Sequence, residues 1–374
     1  MGEKTTIWIS AGEASGDLHG ALLARALLAR RPELSLAGMG GSAMRDAGVD
    51  LRFSMRQISL VGGTEIITGL PRILKLLRDT RRAFETVRPS AVVVIDCPDF
   101  HFHVVRRARA LGIPVYYFVS PQVWAWRSGR VEFLRKNVRR VLCILPFEKD
   151  FYHRRGMDAD YVGHPLLDQI PLAELDRLEP EPGRVGVLPG SRRKEIEGLL
   201  PEFAEAARLL AADRPGLSFS LVRAPGVDRD MLLRFWPEDL EVDIVEPAER
   251  YQAMRRSQFL LAASGTVSLE SALIGTPTII AYKLSGLSYF LARRLINVKF
   301  IGLPNLILDK KIFPELIQEE ARAPVMASIG RMWLSNGTSL AVIREELARL
   351  RDMVGEPGAA DRAAGIILDD LKTL

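Results

Sequence analysis

The sequence predicts an α/β protein made of two doubly wound, Rossmann-like domains. Three observations predict it. Short β-branched runs alternate with amphipathic stretches through most of the 374 residues. The alternation breaks once, at the polar, proline-rich Glu179-Pro180-Glu181-Pro182-Gly183, and then restarts. The length, finally, exceeds what one ordinary hydrophobic core accommodates.

Taken in order, the first series of strands is Ile7 to Ala11, Leu36 to Met39, Val92 to Ile95, Val115 to Phe118, Val141 to Leu145 and Tyr161 to Val162. Helices are expected from about Leu18 to Arg30 and from near Ser42. The second series is Val185 to Leu188, Phe219 to Val222, Val242 to Val245, Phe259 to Ala262 and Thr278 to Ile280, with helices between. The tail from Ser339 is helical and charged, with a break at Gly355-Glu356-Pro357-Gly358. The expected domains are therefore residues 1–166 and 167–339, with 340–374 free to cross back over the first.

Composition narrows the class. An apolar content of 48% and a charged fraction of 26% are those of a soluble globular protein. The two cysteines, Cys97 and Cys143, lie in apolar strand-like contexts, which argues against a disulfide scaffold or a cysteine metal site. No apolar run suits a signal peptide or a membrane span, so a cytoplasmic, non-integral protein is expected. The formal net charge of +5 implies an anionic partner. Basic residues are not interleaved with a stacking platform, so nucleic acid is not the expected one.

The stretch from Val92 to Arg127 organises the first domain. Two buried strands in it stop at loops built of proline, acidic, amide and aromatic residues, and ligands of parallel sheets bind beyond such carboxyl ends. Asp96 ends the first strand. A partly desolvated carboxylate near another can accept a proton from a hydroxyl at neutral pH. Asp99 suits a helix cap better, which favours Asp96 as the base, with His101 and His103 left as outside alternatives. The second loop carries Gln122, Trp124, Trp126 and Arg127, and Pro121 argues that it lines a cleft rather than continuing a strand.

Three further turns suit polar or anionic ligands. Ala11-Gly12-Glu13-Ala14-Ser15-Gly16-Asp17 joins a strand to a helix; it is either a sugar-hydroxyl site using Glu13 and Ser15 or an ordinary turn capped by Ser15 or Asp17. Gly190, Ser191 and Arg192 begin a helix whose Arg and Lys oppose the helix dipole, so an anion should compensate them. Ser264, Gly265 and Thr266 repeat that arrangement, with Glu270 one turn on to accept ribose hydroxyls; the alternative is a variant capping box. Together the two turns fit a nucleoside diphosphate. No metal-ligand spacing occurs, and neither metal nor cofactor is expected.

Leu70, Ile73, Leu74, Leu77 and Phe84 fall at helical spacing, opposite Arg72, Lys75, Arg78 and Arg82. The ordinary reading is a surface helix packed by its leucines. With Leu76 exposed among the bases, the other face would suit an anionic membrane surface. A second such patch is Leu287 to Arg294.

Read in order, AGEASGD (11–17), DCPDF (96–100), SPQVWAWR (120–127), LPFEKDFY (145–152), VGHP (162–165), LPGSR (188–192), ASGTVSLE (263–270) and LPNLI (303–307) resemble the lipid-A-disaccharide synthase family over nearly the whole chain. One departure is His101, where that family often has Asn. The resemblance implies the two-domain glycosyltransferase fold called GT-B, with the domains facing across a cleft. It implies transfer of 2,3-diacylglucosamine from its UDP derivative to 2,3-diacylglucosamine 1-phosphate, giving a β-1,6-linked disaccharide phosphate and UDP. Asp96 would be the base, Arg192 the diphosphate ligand and Asn305 a further catalytic residue, at the cytoplasmic face of the inner membrane. Glu13 and Gln122 would hold sugar hydroxyls. Whether the chain forms a homodimer stays open. Two rivals remain: a UDP-sugar 2-epimerase of similar architecture, and a non-catalytic nucleotide-sugar binder.

Overall fold

A computed structural model describes residues 5–59, 66–125, 129–283 and 299–373. Its contacts divide the chain into two units, Met1–Asp168 with Glu356–Leu374, and Gln169–Gly355. Each is an α/β layer structure around one parallel sheet.

The sheet of the first unit holds β1 (Thr6–Ala11), β2 (Ser35–Gly40), β3 (Asp50–Ser54), β4 (Ala91–Ile95), β5 (Val115–Phe118), β6 (Arg140–Cys143) and β7 (Ala159–Tyr161), in the order β3-β2-β1-β4-β5-β6-β7. Its central strands are apolar on both faces because helices cover both. Trp8, Val92, Val94, Val115 and Tyr117 enter one core, whereas Ile7, Ile9, Val93, Ile95, Tyr116 and Phe118 enter the other. Along each strand the partition follows the two-residue period of the pleat.

The second unit repeats the plan with β8 (Arg184–Leu188), β9 (Ser218–Val222), β10 (Asp243–Val245), β11 (Phe259–Ala263), β12 (Thr278–Tyr282) and β13 (Glu315–Ile317), ordered β10-β9-β8-β11-β12-β13. The strands β3 and β13 have no counterpart among the expected ones. Both are sheet edges, and β3 alternates exposed and half-buried residues, so neither carries the continuous apolar run that marks a central parallel strand.

Of the two C-terminal helices, Gly337–Val354 packs on Thr266–Ile274 within the second unit. The helix Ala359–Leu371 packs on Ala14–Arg30 in the first. Arg30 pairs with Asp361 at 2.7 Å, the Tyr116 hydroxyl donates to Asp370 at 2.6 Å, and Asp168 accepts from the Gly358 and Ala359 amides at the start of that helix. Among the described residues no helix is long and apolar enough to cross a membrane.

The helix Ile66–Val87 buries a different stripe from the expected one. Leu76, Leu77, Thr80 and Phe84 are buried, and Leu70 and Leu74 are about half exposed, at 54% and 51%. Leu76 is thus a core residue, not a surface one. The buried stripe includes Thr80, whose hydroxyl donates to the Leu76 carbonyl at 2.8 Å and so enters the core satisfied. The second patch, Leu287 to Arg294, lies outside the described residues.

Candidate active site

In each sheet the chain runs outward from its first strand, then returns to the other side of that strand. In the first unit the reversal lies between β1 and β4, which pair in register with Ala11 opposite Ile95. Their following loops therefore flank the crevice where open parallel sheets bind ligands. The loops touch: a Cβ on Gly12 would stand 2.6 Å from Cys97 Sγ, so this turn admits only glycine without a shift.

Glu13 occupies the N-cap position of the helix Ala14–Arg30 with an extended backbone and no side-chain cap, and its side chain is exposed. Ser15 is exposed in the first turn. Neither Ser15 nor Asp17 caps this helix, contrary to one of the sequence readings. Asp17 turns inward and accepts from the amides of Gly41, Ala43 and Met44 at 2.6, 3.1 and 3.2 Å, capping the next helix instead.

Asp96 is partly buried, and its carboxyl is pushed up to about 6. Burial is the main cause and the negative charge of Glu13 adds to it, while a hydrogen bond from the Cys97 backbone pulls the other way. Asp99 is exposed on the next helix and pairs with Arg130 at 2.8 Å. His101, weighed as an alternative base, has no solvent exposure. Its ring nitrogens lie 2.7 Å from the Asp96 carbonyl and 3.0 Å from Ser10 Oγ, and burial lowers its pKa to about 4. That geometry removes it as a base. His103 is exposed on the helix surface, its pKa lowered by partial burial and by Arg106 and Arg107.

After β5 the chain turns at Val119, with φ 57°, into the loop carrying Gln122 and Trp124. Gln122 is exposed and available to a ligand. Trp124 is half-buried, edge-on to Phe147 at 5.0 Å, and its indole N–H donates to Glu148 at 3.0 Å. It ties the loop down rather than only lining a surface. Glu148, absent from the sequence candidates, is buried and also accepts from the amides of Ile144 and Leu145 at 3.2 and 3.0 Å. Its sequence signals were its place in LPFEKDFY (145–152) and its position three residues after Leu145 at a helix start. Trp126 and Arg127 lie outside the described residues.

The second unit presents the same geometry between β8 and β11, where Leu188 stands opposite Ala262. Gly190 has φ 104°, and a Cβ there would meet Glu195 Oε2 at 2.8 Å and Ala263 at 3.4 Å, so the two strand-end loops adjoin. The helix Thr266–Ile274 begins at Gly265 with no side-chain cap, which leaves the first amides of that helix without one and rules out the variant capping box. Ser264 is half-buried and Gly265 and Thr266 are exposed. Ser191 is exposed beside Arg192. The basic helix start expected to need an external anion is compensated internally, by Arg192 with Glu195 at 2.9 Å and Arg193 with Glu197 at 2.7 Å. Arg192 nevertheless remains 82% exposed, free to swing onto a phosphate. The Glu270 carboxyl is raised by burial against the opposing pull of Arg250.

Asn305 has no solvent exposure. Its amide donates to the Phe313 carbonyl and Glu315 at 2.9 and 2.7 Å, and its oxygen accepts from the amides of Ile312 and Phe313, both at 2.9 Å. All four bonding capacities are used inside the unit, so the catalytic role implied by resemblance finds no geometry here. Glu315, missed from sequence, accepts from the Ile301 and Gly302 amides at 2.8 and 2.9 Å and so holds the start of the helix Leu303–Leu308. Among the described residues no group of three His, Cys, Asp or Glu is placed to hold a metal ion.

Residues 7–365 match the family model described as lipid-A-disaccharide synthetase. The chain belongs to the lipid-A-disaccharide synthetase family. Relatives named lipid-A-disaccharide synthase include one from Myxococcus xanthus, 38% identical over 99% of this chain and 98% of its own length. Another, from Syntrophus aciditrophicus, is 39% identical over 98% of each. In fold, this family member is similar to a putative UDP-N-acetylglucosamine 2-epimerase of Listeria monocytogenes, with TM-score 0.67, 13% identity and coverage of 99% and 97%. It is similar also to Acinetobacter baumannii MurG, with TM-score 0.63, 14% identity and coverage of 98% and 99%. These solved structures establish the GT-B-type architecture of paired Rossmann-like domains; since epimerases and transferases share it, the fold does not choose between them. The family does: the enzyme is a glycosyltransferase of lipid A biosynthesis, and the epimerase reading is not favoured.

Proposed function

We propose that this chain joins 2,3-diacylglucosamine, carried on UDP, to 2,3-diacylglucosamine 1-phosphate. The products are UDP and a β-1,6-linked, tetra-acylated disaccharide phosphate. The observation that carries the reading is the family match from residue 7 to 365.

The mechanism is a single displacement with inversion. The 6-hydroxyl oxygen of the acceptor attacks the anomeric carbon as the bond to the diphosphate breaks, and the hydroxyl proton passes to Asp96. A carboxyl with its pKa near 6 is ionised at neutral pH yet basic enough to take that proton. Arg192, Gly190, Ser191, the free amides of Gly265 and Thr266 and the Ser264 hydroxyl receive the charge of the departing diphosphate. Glu270 accepts the ribose hydroxyls. Glu13, Ser15 and Gln122, exposed at the edge of the first sheet, hold sugar hydroxyls. Residues 1–166 serve the acceptor and residues 167–339 the UDP-sugar.

The lipid substrates call for a peripheral enzyme at the inner face of the cytoplasmic membrane. Exposed Leu70 and Leu74 lie among exposed Arg72, Lys75 and Arg78, a combination suited to anionic headgroups. A homodimer is compatible with this reading and not required by it.

Product detection with both purified substrates tests the reaction. Asp96→Asn should abolish transfer and leave UDP binding within about twofold, because the base contributes about 10²–10⁴ in rate and nothing to the diphosphate. Retained turnover would remove Asp96 as the base. Leu70→Asp with Leu74→Asp should weaken flotation with anionic vesicles; unchanged flotation would remove this patch as the membrane contact.

A further inference from the structure

Beyond Ile95 the chain kinks through two consecutive non-glycine residues in the left-handed region, Asp96 with φ 47° and Cys97 with φ 47° and ψ 56°. Side chains bearing a Cβ avoid this region, and two in succession persist only where their surroundings over-determine them. The peptide between them is held from two sides. The Tyr117 hydroxyl donates to the Asp96 carbonyl at 2.7 Å, and His101 Nδ1 lies 2.7 Å from the same oxygen.

A carbonyl only accepts, so the proton of His101 sits on Nδ1. Its Nε2 must then accept, and Ser10 Oγ at 3.0 Å is the donor. His101 and Tyr117 have no solvent exposure and Ser10 only 1%, so none of the three can touch a substrate. Ser10 comes from β1 and Tyr117 from β5, the two strands that flank β4, and His101 from the helix that follows it. Two elements, β5 and the helix after β4, thus meet at one backbone oxygen, and β1 braces the histidine from behind. That oxygen belongs to the residue whose carboxylate stands at the crevice.

We propose that Tyr117 and His101, the latter oriented by Ser10, are positioning residues for glycosyl transfer: by filling both lone pairs of the Asp96 carbonyl they fix the left-handed turn and the direction of the Asp96 carboxylate. This rests on Asp96 being the base. Misplacing a reacting group by about 1 Å can cost about a hundredfold in rate, whereas binding of either substrate depends on other groups.

The test measures kcat, both KM values and thermal midpoints for Tyr117→Phe, His101→Ala, His101→Asn and Asp96→Asn. Tyr117→Phe keeps the packed ring and removes only the hydroxyl; kcat should fall about tenfold with KM within about twofold. His101→Ala should lose about a hundredfold, and His101→Asn, whose amide nitrogen takes the place of Nδ1, should recover most of that loss. Tyr117→Phe and His101→Ala with kcat within about twofold of the parent would overturn the inference. So would a fall in rate that matches the fall in folded fraction, since that is what a structural role alone gives. Turnover retained by Asp96→Asn would instead reject the base itself. An inactive Asp96→Asn beside fully active Tyr117→Phe and His101→Ala rejects only the positioning role.

Discussion

Glu13 and Asp96 stand just past the ends of adjacent strands, and the charge on Glu13 helps keep the proton on Asp96. The larger share of that effect is burial of Asp96 itself. Below pH 6 Asp96 holds its proton and, as the proposed base, could not take one from the acceptor. Turnover should therefore rise with pH through about 6 and level above it. Glu13→Gln should move this acid limb to lower pH, because it removes a like charge and leaves the burial in place. A pH-rate profile of kcat/KM for the parent and the variant checks both statements; an unmoved limb would show that the charge of Glu13 does not set it.

Asp96 should also weaken the fold at neutral pH. Its folded pKa, about 6, lies above the ordinary value of 3.8, so the folded state binds the proton more tightly. The associated stability is present below pH 3.8 and is lost as pH rises through 6. Asp96→Asn should accordingly raise the thermal midpoint of the first unit at pH 8, by about 3 kcal/mol in stability terms. The gain should vanish toward pH 4. Calorimetry at the two pH values is the measurement, and an equal gain at both would contradict the assignment.

Glu148 offers an optical test. Burial pushes its carboxyl up to about 7, against hydrogen bonds from the Leu145 amide, Trp124, the Ile144 amide and Ser120. Trp124 emission should titrate with a midpoint near 7, since the partner of its indole N–H changes charge there. Glu148→Gln should abolish the transition, and Trp124→Phe should remove the signal. The same raised pKa means that Glu148 favours the fold most below 4.5 and that this contribution is lost as pH rises through about 7.

Asn305→Ala should act on stability and not on chemistry. It leaves the buried amides of Ile312 and Phe313 without their acceptor and takes one donor from Glu315. A loss of about 2–4 kcal/mol in the second unit follows from unsatisfied buried groups of this number. Denaturant melts give the stability, and rates normalised to the folded fraction should stay near the parent. A normalised rate down a hundredfold would restore Asn305 to the catalytic group.

Much of this was legible before any coordinates. Central parallel strands carry unbroken β-branched runs because both faces are covered, so β4, β5 and β11 announce themselves, along with the loops at their ends. The edge strands β3 and β13 do not, because half their surface meets water and the pattern dilutes. Leu70 and Leu76 exchanged places because two helical stripes fit the same leucines, and the buried one includes a threonine whose hydroxyl is satisfied within its own helix, a polar residue that hydrophobic spacing alone does not place in a core.

By itself the sequence determined the two Rossmann-like series and the glycine and carboxylate turns at their strand ends, and it singled out Asp96 as the candidate base. Those are local properties, written in periodicity and in the residue types that tolerate a turn. Only the tertiary structure decided which turns are neighbours. Strand order brought Glu13 beside Asp96 and Gly190 beside Ala263, sent Asp17 to cap a helix other than its own, and closed Asn305 inside the second unit. Hydrogen bonds and charge act over short distances, and Glu13 and Asp96, 83 positions apart, influence one another only once the sheet has set their strands side by side.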